Sequence, residues 1–289
     1  VSCTDAIATS GNSSETCTNA INGNWYTHPA FTFSEEELTG FWVGKFEISG
    51  STSQITIKPN ITSLRNQTVS SFFTAIQKMS TTYSLNGDSH MMKNMEWGAV
   101  AYLSHSKYGT CTNGKCVEIG INNNSNYITG CGAAVGSSSS SICNEYDSEI
   151  GMLASTTQNI YGVYDMSGGS YEFTMGNMVN SSSSFYSSSA GFSTIPNSKY
   201  YDSYTYSTSY ITHGRGKLGD ATKEILNNFG SPTGGWHGDY SYMTFNISSW
   251  IHRSLEQANG SAAGFLSFSS TDGNAVYSHS TRAILVSNS

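Results

Sequence analysis

The sequence predicts an α+β fold. Two amphipathic or wholly apolar helical stretches fall between residues 68 and 109, while short alternating segments and long Ser/Tyr tracts dominate the rest. Composition agrees with a solvated, loop-rich protein. Charged residues are only 11% of the 289, against about 25% in a typical soluble domain. Ser, Asn, Thr, Gly and Tyr take their place, so the surface is polar without being ionic.

Residues 1–39 are polar and Gly/Asn-bearing and read as a lead-in tied by a disulfide, before a domain spanning 40–289. "FWVGKFEIS" (41–49) places Trp42, Gly44, Phe46 and Ile48 on one face of an extended segment, and "QITIK" (54–58) alternates likewise. In "TVSSFFTAIQKMSTTY" (68–83), Val69, Phe72, Phe73, Ile76 and Met79 recur at three- and four-residue steps, the pattern of an amphipathic helix. "NMEWGAVAYLSHSKYG" (94–109) is apolar nearly all round and predicts a helix wedged between other elements, with Trp97 and Tyr102 as core. Within "NIYGVYDMSGGSYEF" (159–173), Gly168 and Gly169 permit a backbone turn. Tyr164, Met166, Tyr171 and Phe173 would pack on either side, and Asp165 and Glu172 would accept hydrogen bonds from the loop backbone. "GSSSSS" (136–141), "NSSSSFYSSS" (180–189) and "YYDSYTYSTSY" (200–210) read as long surface loops, and interleaved tyrosines favour a functional role for them. A short helix is expected over 220–230, capped by Asp220 and Gly230, and strands over 242–248, 262–270 and 281–287. No internal repeat of fixed period is visible.

Thirteen basic residues against twenty acidic ones give −7 with no basic cluster, which excludes a general nucleic-acid binder. No apolar run reaches bilayer length, and the first residues lack a basic segment followed by an apolar one, so membrane insertion is not expected. Six cysteines fall as close pairs, and "CTNGKC" sets an Asn-Gly turn between two thiols. Three local bridges are expected, Cys3–Cys17, Cys111–Cys116 and Cys131–Cys143, in an oxidising, extracytoplasmic compartment. The rival zinc reading lacks both C-x₂-C and a suitably spaced histidine. Seven N-x-S/T sequons, at Asn12, Asn60, Asn66, Asn123, Asn180, Asn246 and Asn259, fit a solvated surface. His28, His90, His105, His213, His237, His252 and His279 are scattered, and no G-x-S-x-G marks a nucleophile, so no enzyme activity is expected. No cofactor is expected either, calcium alone being left open because oxygen-rich loops bind it without fixed spacing.

Four segments, "GFWVGKFEIS", "NMEWGAVAYL", "IYGVYDMSGGSYEF" and "TRAILV", resemble the formylglycine-generating-enzyme/sulfatase-modifying-factor superfamily, whose core is a C-type-lectin-like fold. They are similar to its "F-x-x-G-K-Y-E-V-T", "E-W-E-Y-A-A", "G-L-Y-D-M-x-G-N-V-W-E-W" and "G-F-R-V-V" elements, over roughly 40–287. The resemblance implies a single C-type-lectin-like domain with long loops. The family's oxidases hold copper with a pair of C-terminal cysteines, and no cysteine follows Cys143 here. Related iron-dependent sulfoxide synthases use a histidine triad carried partly by an extra N-terminal helical domain; no clustered H-x₃-H pattern stands in these residues, so that chemistry is not expected.

The same fold serves as a display scaffold in variable proteins of diversity-generating retroelements, and residues 234–287 look like such a ligand-binding region. On that resemblance Trp236, His237, Tyr240, Tyr242, Asn246, His252, Ser254, Gln257 and Asn259 are the contact residues, alternating with frame residues such as Gly264, Phe265 and Phe268. Tyr offers a large amphipathic contact with few rotors to freeze, and Ser and Asn add adaptable hydrogen bonds. The block "MMKNMEWGAVAYLSHSKYG" with "YDMSGG" is also similar to surface-displayed, pilus-associated proteins of Gram-positive gut bacteria. The expected function is recognition or adhesion at a cell or virion surface, toward a protein or glycan receptor. The alternatives are a structural subunit of a pilus or tail fibre, in which copies pack together, and a metal-dependent oxidase of the same superfamily.

Overall fold

The computed structural model describes residues 27–132, 142–180, 185, 188–211, 215–222 and 235–287. Over these the chain is mixed α and β, with small sheets and few helices. Helix α1, Val69–Gln77, starts where the Thr68 hydroxyl accepts the Ser71 N–H at 3.2 Å. Its buried stripe is Val69, Phe72, Phe73, Ala75 and Ile76, the expected face, and Met79 packs beside it. Helix α2, Asn94–Ser104, starts where Glu96 reaches back to the Lys93 N–H at 2.7 Å. Trp97 lies fully inside and its indole donates to the Phe265 carbonyl at 2.7 Å. Tyr102 also packs against that core.

Eight strands form the two main sheets: β1 Trp42–Val43, β2 Gly87–Met91, β3 Tyr171–Met178, β4 Asp202–Tyr204, β5 Trp250–Arg253, β6 Phe268–Thr271, β7 His279–Thr281 and β8 Ala283–Ser287. In the larger sheet β3 is central. It pairs in parallel with β7 through its first half and with β4 through its second, and antiparallel with β5, which carries β6. In the smaller sheet β8 lies between β1 and β2, antiparallel to both. Helix α1 packs with Met91, Phe173, Met175 and Trp250 as one core; α2 packs with Met166, Phe265, Leu266 and Ile284 as another.

The stretch 159–173 is where these parts lock. Asp165, at φ +65° and fully buried, accepts hydrogen bonds from Asn122 Nδ2 (2.8 Å), Thr129 Oγ1 (2.8 Å) and the Gly130 N–H (2.6 Å). Gly168 and Gly169 sit at φ +71° and +68°. A Cβ on Gly168 would stand 2.2 Å from the Asn122 carbonyl oxygen, and one on Gly169 would stand 2.6 Å from Glu47 Oε1. Tyr164, Met166 and Phe173 are fully buried as expected, whereas Tyr171 is half-buried. Glu172 differs from its expected role: it pairs with Arg282, whose Nε and Nη2 donate to its two oxygens at 3.1 and 2.5 Å. Arg282 also donates to the Gly44 carbonyl at 2.8 Å and the Tyr164 carbonyl at 2.7 Å. Beside it, buried Glu47 accepts from the Ser170 N–H and hydroxyl at 2.9 and 3.0 Å. Burial, reinforced by Glu172 and Asp165, pushes the Glu47 carboxyl well above its ordinary range.

Several expectations are corrected. Trp42 is 69% exposed, because the 41–49 segment breaks into two short pieces rather than one strand; of the four residues expected on one face, Gly44, Phe46 and Ile48 are buried and Trp42 is not. The 242–248 strand is an irregular segment, and the strand proper is the next one, β5. The 200–210 tract is not wholly surface loop: it contains β4, and Tyr204 is buried, its hydroxyl donating to Asp220 Oδ2 at 2.8 Å. Cys111–Cys116 and Cys131–Cys143 are bridged, the first clipping the Cys111–Thr112/Lys115–Cys116 hairpin. Cys3 and Cys17 lie outside the described residues, as does the expected 220–230 helix beyond Thr222. Asp220 does cap a turn there, accepting the Thr222 N–H at 2.8 Å. Residues 29–38, assigned to the lead-in, form a packed turn and hairpin with Ala30 and Phe33 buried.

Candidate recognition surface

Residues 240–243 run beside the start of β6, with Tyr242 N–H on the Phe268 carbonyl and Phe268 N–H on the Tyr240 carbonyl, both at 3.0 Å. The extended backbone alternates its side chains: Ser241 and Met243 are fully buried, so Tyr240 and Tyr242 turn outward. The Met243 N–H donates to the Tyr210 carbonyl at 3.0 Å and brings a third ring alongside. A ladder results, Tyr240 to Tyr242 at 4.6 Å between ring centres, Tyr242 to Tyr210 at 4.7 Å, and Tyr210 to Phe245 at 5.5 Å. Burial, helped by Tyr242, pushes the Tyr240 hydroxyl up to about 12, so it stays a protonated donor at neutral pH.

The ladder continues into a polar band. Tyr171, within electrostatic reach of Tyr240, takes a hydrogen bond from Asn259 Nδ2 on its hydroxyl at 3.1 Å. Its ring lies on a coplanar pair, His252 and His279, at 4.6 and 4.8 Å. That pair shares one hydrogen bond, Nδ1 to Nε2 at 2.9 Å, and burial holds His252 well below its ordinary range and His279 at about 3, so both rings stay neutral. Further along, the Tyr127 hydroxyl donates to Glu256, and the Arg65 guanidinium stacks 4.6 Å over the Tyr127 ring. At the other side, exposed His237 meets His105, Nε2 to Nε2 at 3.0 Å.

Of the expected contact residues, His237 is exposed and Tyr240, Tyr242, Asn246 and Asn259 are half-buried. The Trp236 side chain lies outside what is described. His252, Ser254 and Gln257 are corrected to the interior, at 6%, 0% and 6% exposure. His252 belongs to β5, flanked by β3 and β6, and supports Tyr171 from beneath. The Ser254 hydroxyl donates to the Asp165 and Gly168 carbonyls at 3.0 and 2.8 Å, and the Gln257 N–H donates to the Gly169 carbonyl at 3.0 Å. Most of 250–255, 263–268 and 279–284 is likewise buried, so 234–287 is chiefly core and not one continuous contact face. Tyr127, Tyr171, Tyr210, Phe245, Arg65 and Glu256 join the surface from outside the expected contact residues; Tyr210 carried a signal in its place in a tyrosine-rich tract.

The arrangement presents ring edges, hydroxyls and an amide, with Arg65 and Glu256 each set against Tyr127. Elsewhere a cleft of about 1250 Å3 opens between residues 33–42, Asp88, Lys199 and the end of β8, with the exposed Trp42 on its wall. Among the described residues no group of three His, Cys, Asp or Glu stands assembled for a metal, and no helix is long and apolar enough to cross a membrane. Compared with protein-family models and with curated proteins, the chain matches none.

Proposed function

We propose that this protein is a non-catalytic, extracytoplasmic recognition module of C-type-lectin-like type, which binds a protein or glycan receptor through the tyrosine surface. The observation that carries this reading is the four-ring ladder of Tyr240, Tyr242, Tyr210 and Phe245, which leads through Tyr171 and Asn259 into the Tyr127–Glu256–Arg65 group. Rigid aromatic contacts backed by a buried sheet keep the ordering cost of binding low. The Cys111–Cys116 and Cys131–Cys143 bridges support an oxidising location at a cell or virion surface. The Arg282–Glu172 pair and the Asp165 turn, in segments that resemble the formylglycine-generating superfamily, support the scaffold assignment.

A second reading, a structural subunit whose copies pack through this face, draws on Ile211 and Ile247, exposed at 56% and 69% next to ladder residues in sequence. Glycan and surface-protein arrays probed with the intact chain and with Tyr210→Ser/Tyr242→Ser test the leading reading. Binding that the double variant loses supports it; binding unchanged by the double variant overturns it. Concentration-dependent assembly that the double variant abolishes, without any array signal, selects the structural reading.

A further inference from the structure

His105 ends helix α2, its N–H donating to the Ala101 and Tyr102 carbonyls at 3.3 and 3.1 Å, and its ring is fixed by stacking on Phe265 at 5.0 Å. His237 arrives from a segment 132 residues later and faces it, Nε2 to Nε2 at 3.0 Å. The backbone that delivers His237 is unusual: φ is +58° there and +86° at Gly238. A left-handed residue with a Cβ stores on the order of 1 kcal/mol or more, and such strain clusters at ligand sites.

Two imidazole nitrogens this close share either a proton or a metal ion. With metal–nitrogen bonds of about 2.0 Å, cis ligands stand about 2.8 Å apart at a square-planar centre and about 3.3 Å apart at a tetrahedral one. The observed 3.0 Å falls between these. Glu118 stands within electrostatic reach of His237, and its Oε1 is buried without a hydrogen-bond partner among the described residues. The exposure of His237 leaves the outer side open to solvent.

We propose that His105 and His237 form a site for a divalent transition-metal ion that prefers imidazole, Cu2+ or Zn2+, with Glu118 swinging in as the carboxylate donor. Two nitrogen donors select such ions over Ca2+ and Mg2+, which take oxygen. The site is independent of the recognition reading, since it requires only the two rings and the carboxylate.

The probe is Cu2+ itself. The full chain, stripped with a chelator and dialysed into a non-coordinating buffer, is titrated calorimetrically with Cu2+ and its paramagnetic resonance spectrum recorded. The expected result is one ion per chain with micromolar or tighter Kd and nitrogen hyperfine structure from two imidazoles. His237→Ala, at an exposed position, weakens binding at least about tenfold, because one of two strong donors is lost. His105→Gln does the same, Glu118→Gln weakens it less, and Zn2+ competes for the site. Circular dichroism confirms that each variant is folded. Wild-type affinity in His237→Ala, or no binding to the intact chain below millimolar Cu2+, overturns the proposal.

Discussion

Replacing Arg282 by methionine removes the cation from a fully buried charge group. Four hydrogen bonds go with it: two to Glu172 and one each to the Gly44 and Tyr164 carbonyls. Leaving Glu172 unpaired in the interior costs about 3–5 kcal/mol. Each stranded carbonyl adds about 1–3 kcal/mol, less where the two relax together. A loss of about 5 kcal/mol is therefore expected, a large share of the roughly 5–15 kcal/mol that folded proteins possess. At about 2 °C per kcal/mol for a chain of this length, Tm falls by about 10 °C.

The loss carries a pH signature. Burial already lifts Glu172 to about 7 against the pull of Arg282, and lifts Glu47 and Asp165 as well. Without the cation these folded-state values rise further above the unfolded ones. A carboxyl raised on folding opposes stability most above its folded pKa, and this penalty disappears as pH falls toward the unfolded value near 4.5. Thermal melts of Arg282→Met against wild type should therefore show a larger deficit at pH 8 than at pH 5. Adding Glu172→Gln should recover part of the deficit, as a coupled pair requires. A deficit under about 1 kcal/mol, or one indifferent to pH, would refute the reasoning.

Three further outcomes follow from the same geometry. Gly168→Ala should cost about 3 kcal/mol or more, because its φ is +71° and a Cβ would meet the Asn122 carbonyl at 2.2 Å; Gly114→Ala, at φ +73° with open space around it, should cost only about 1 kcal/mol in urea titrations. His279 is held at about 3 by burial, so its contribution is complete above the unfolded value near 6.5 and is lost as pH falls from there toward 3. Wild type should lose about 3 kcal/mol from this residue by pH 4.5, and the difference between wild type and His252→Phe/His279→Phe should shrink over that range in acid melts. Reducing Cys131–Cys143 should lower stability by about 2–3 kcal/mol, read as a fall in Tm with reductant.

What was legible in the sequence tracks local physics. Helix α1 announces itself through its period, α2 through its apolar run, and the Asp165–Gly169 turn through its paired glycines. The central strand β3 was not visible, since a strand buried on both faces does not alternate; Glu172, Thr174 and Asn177 interrupt any apolar run and are satisfied only by distant partners. Strand β5, "WIHR", hides for the same reason, and its burial removes His252 from the expected surface. The surface mixes two kinds of information. Tyr240 and Tyr242 turn outward by simple alternation, a local effect. Tyr127, Tyr171 and Arg65 come alongside through pairings such as β3 with β7, and His105 meets His237 across 132 residues, which no spacing rule can convey.

Receptor capture by the tyrosine surface is the most direct trial of this account. Surface plasmon resonance of the intact chain on its strongest array partner should give saturable binding that falls at least about tenfold in Tyr240→Ser/Tyr242→Ser, with the melting curve unchanged. Equal affinity in the folded double variant would show that the partner docks elsewhere, and the tyrosine ladder would lose its assigned role.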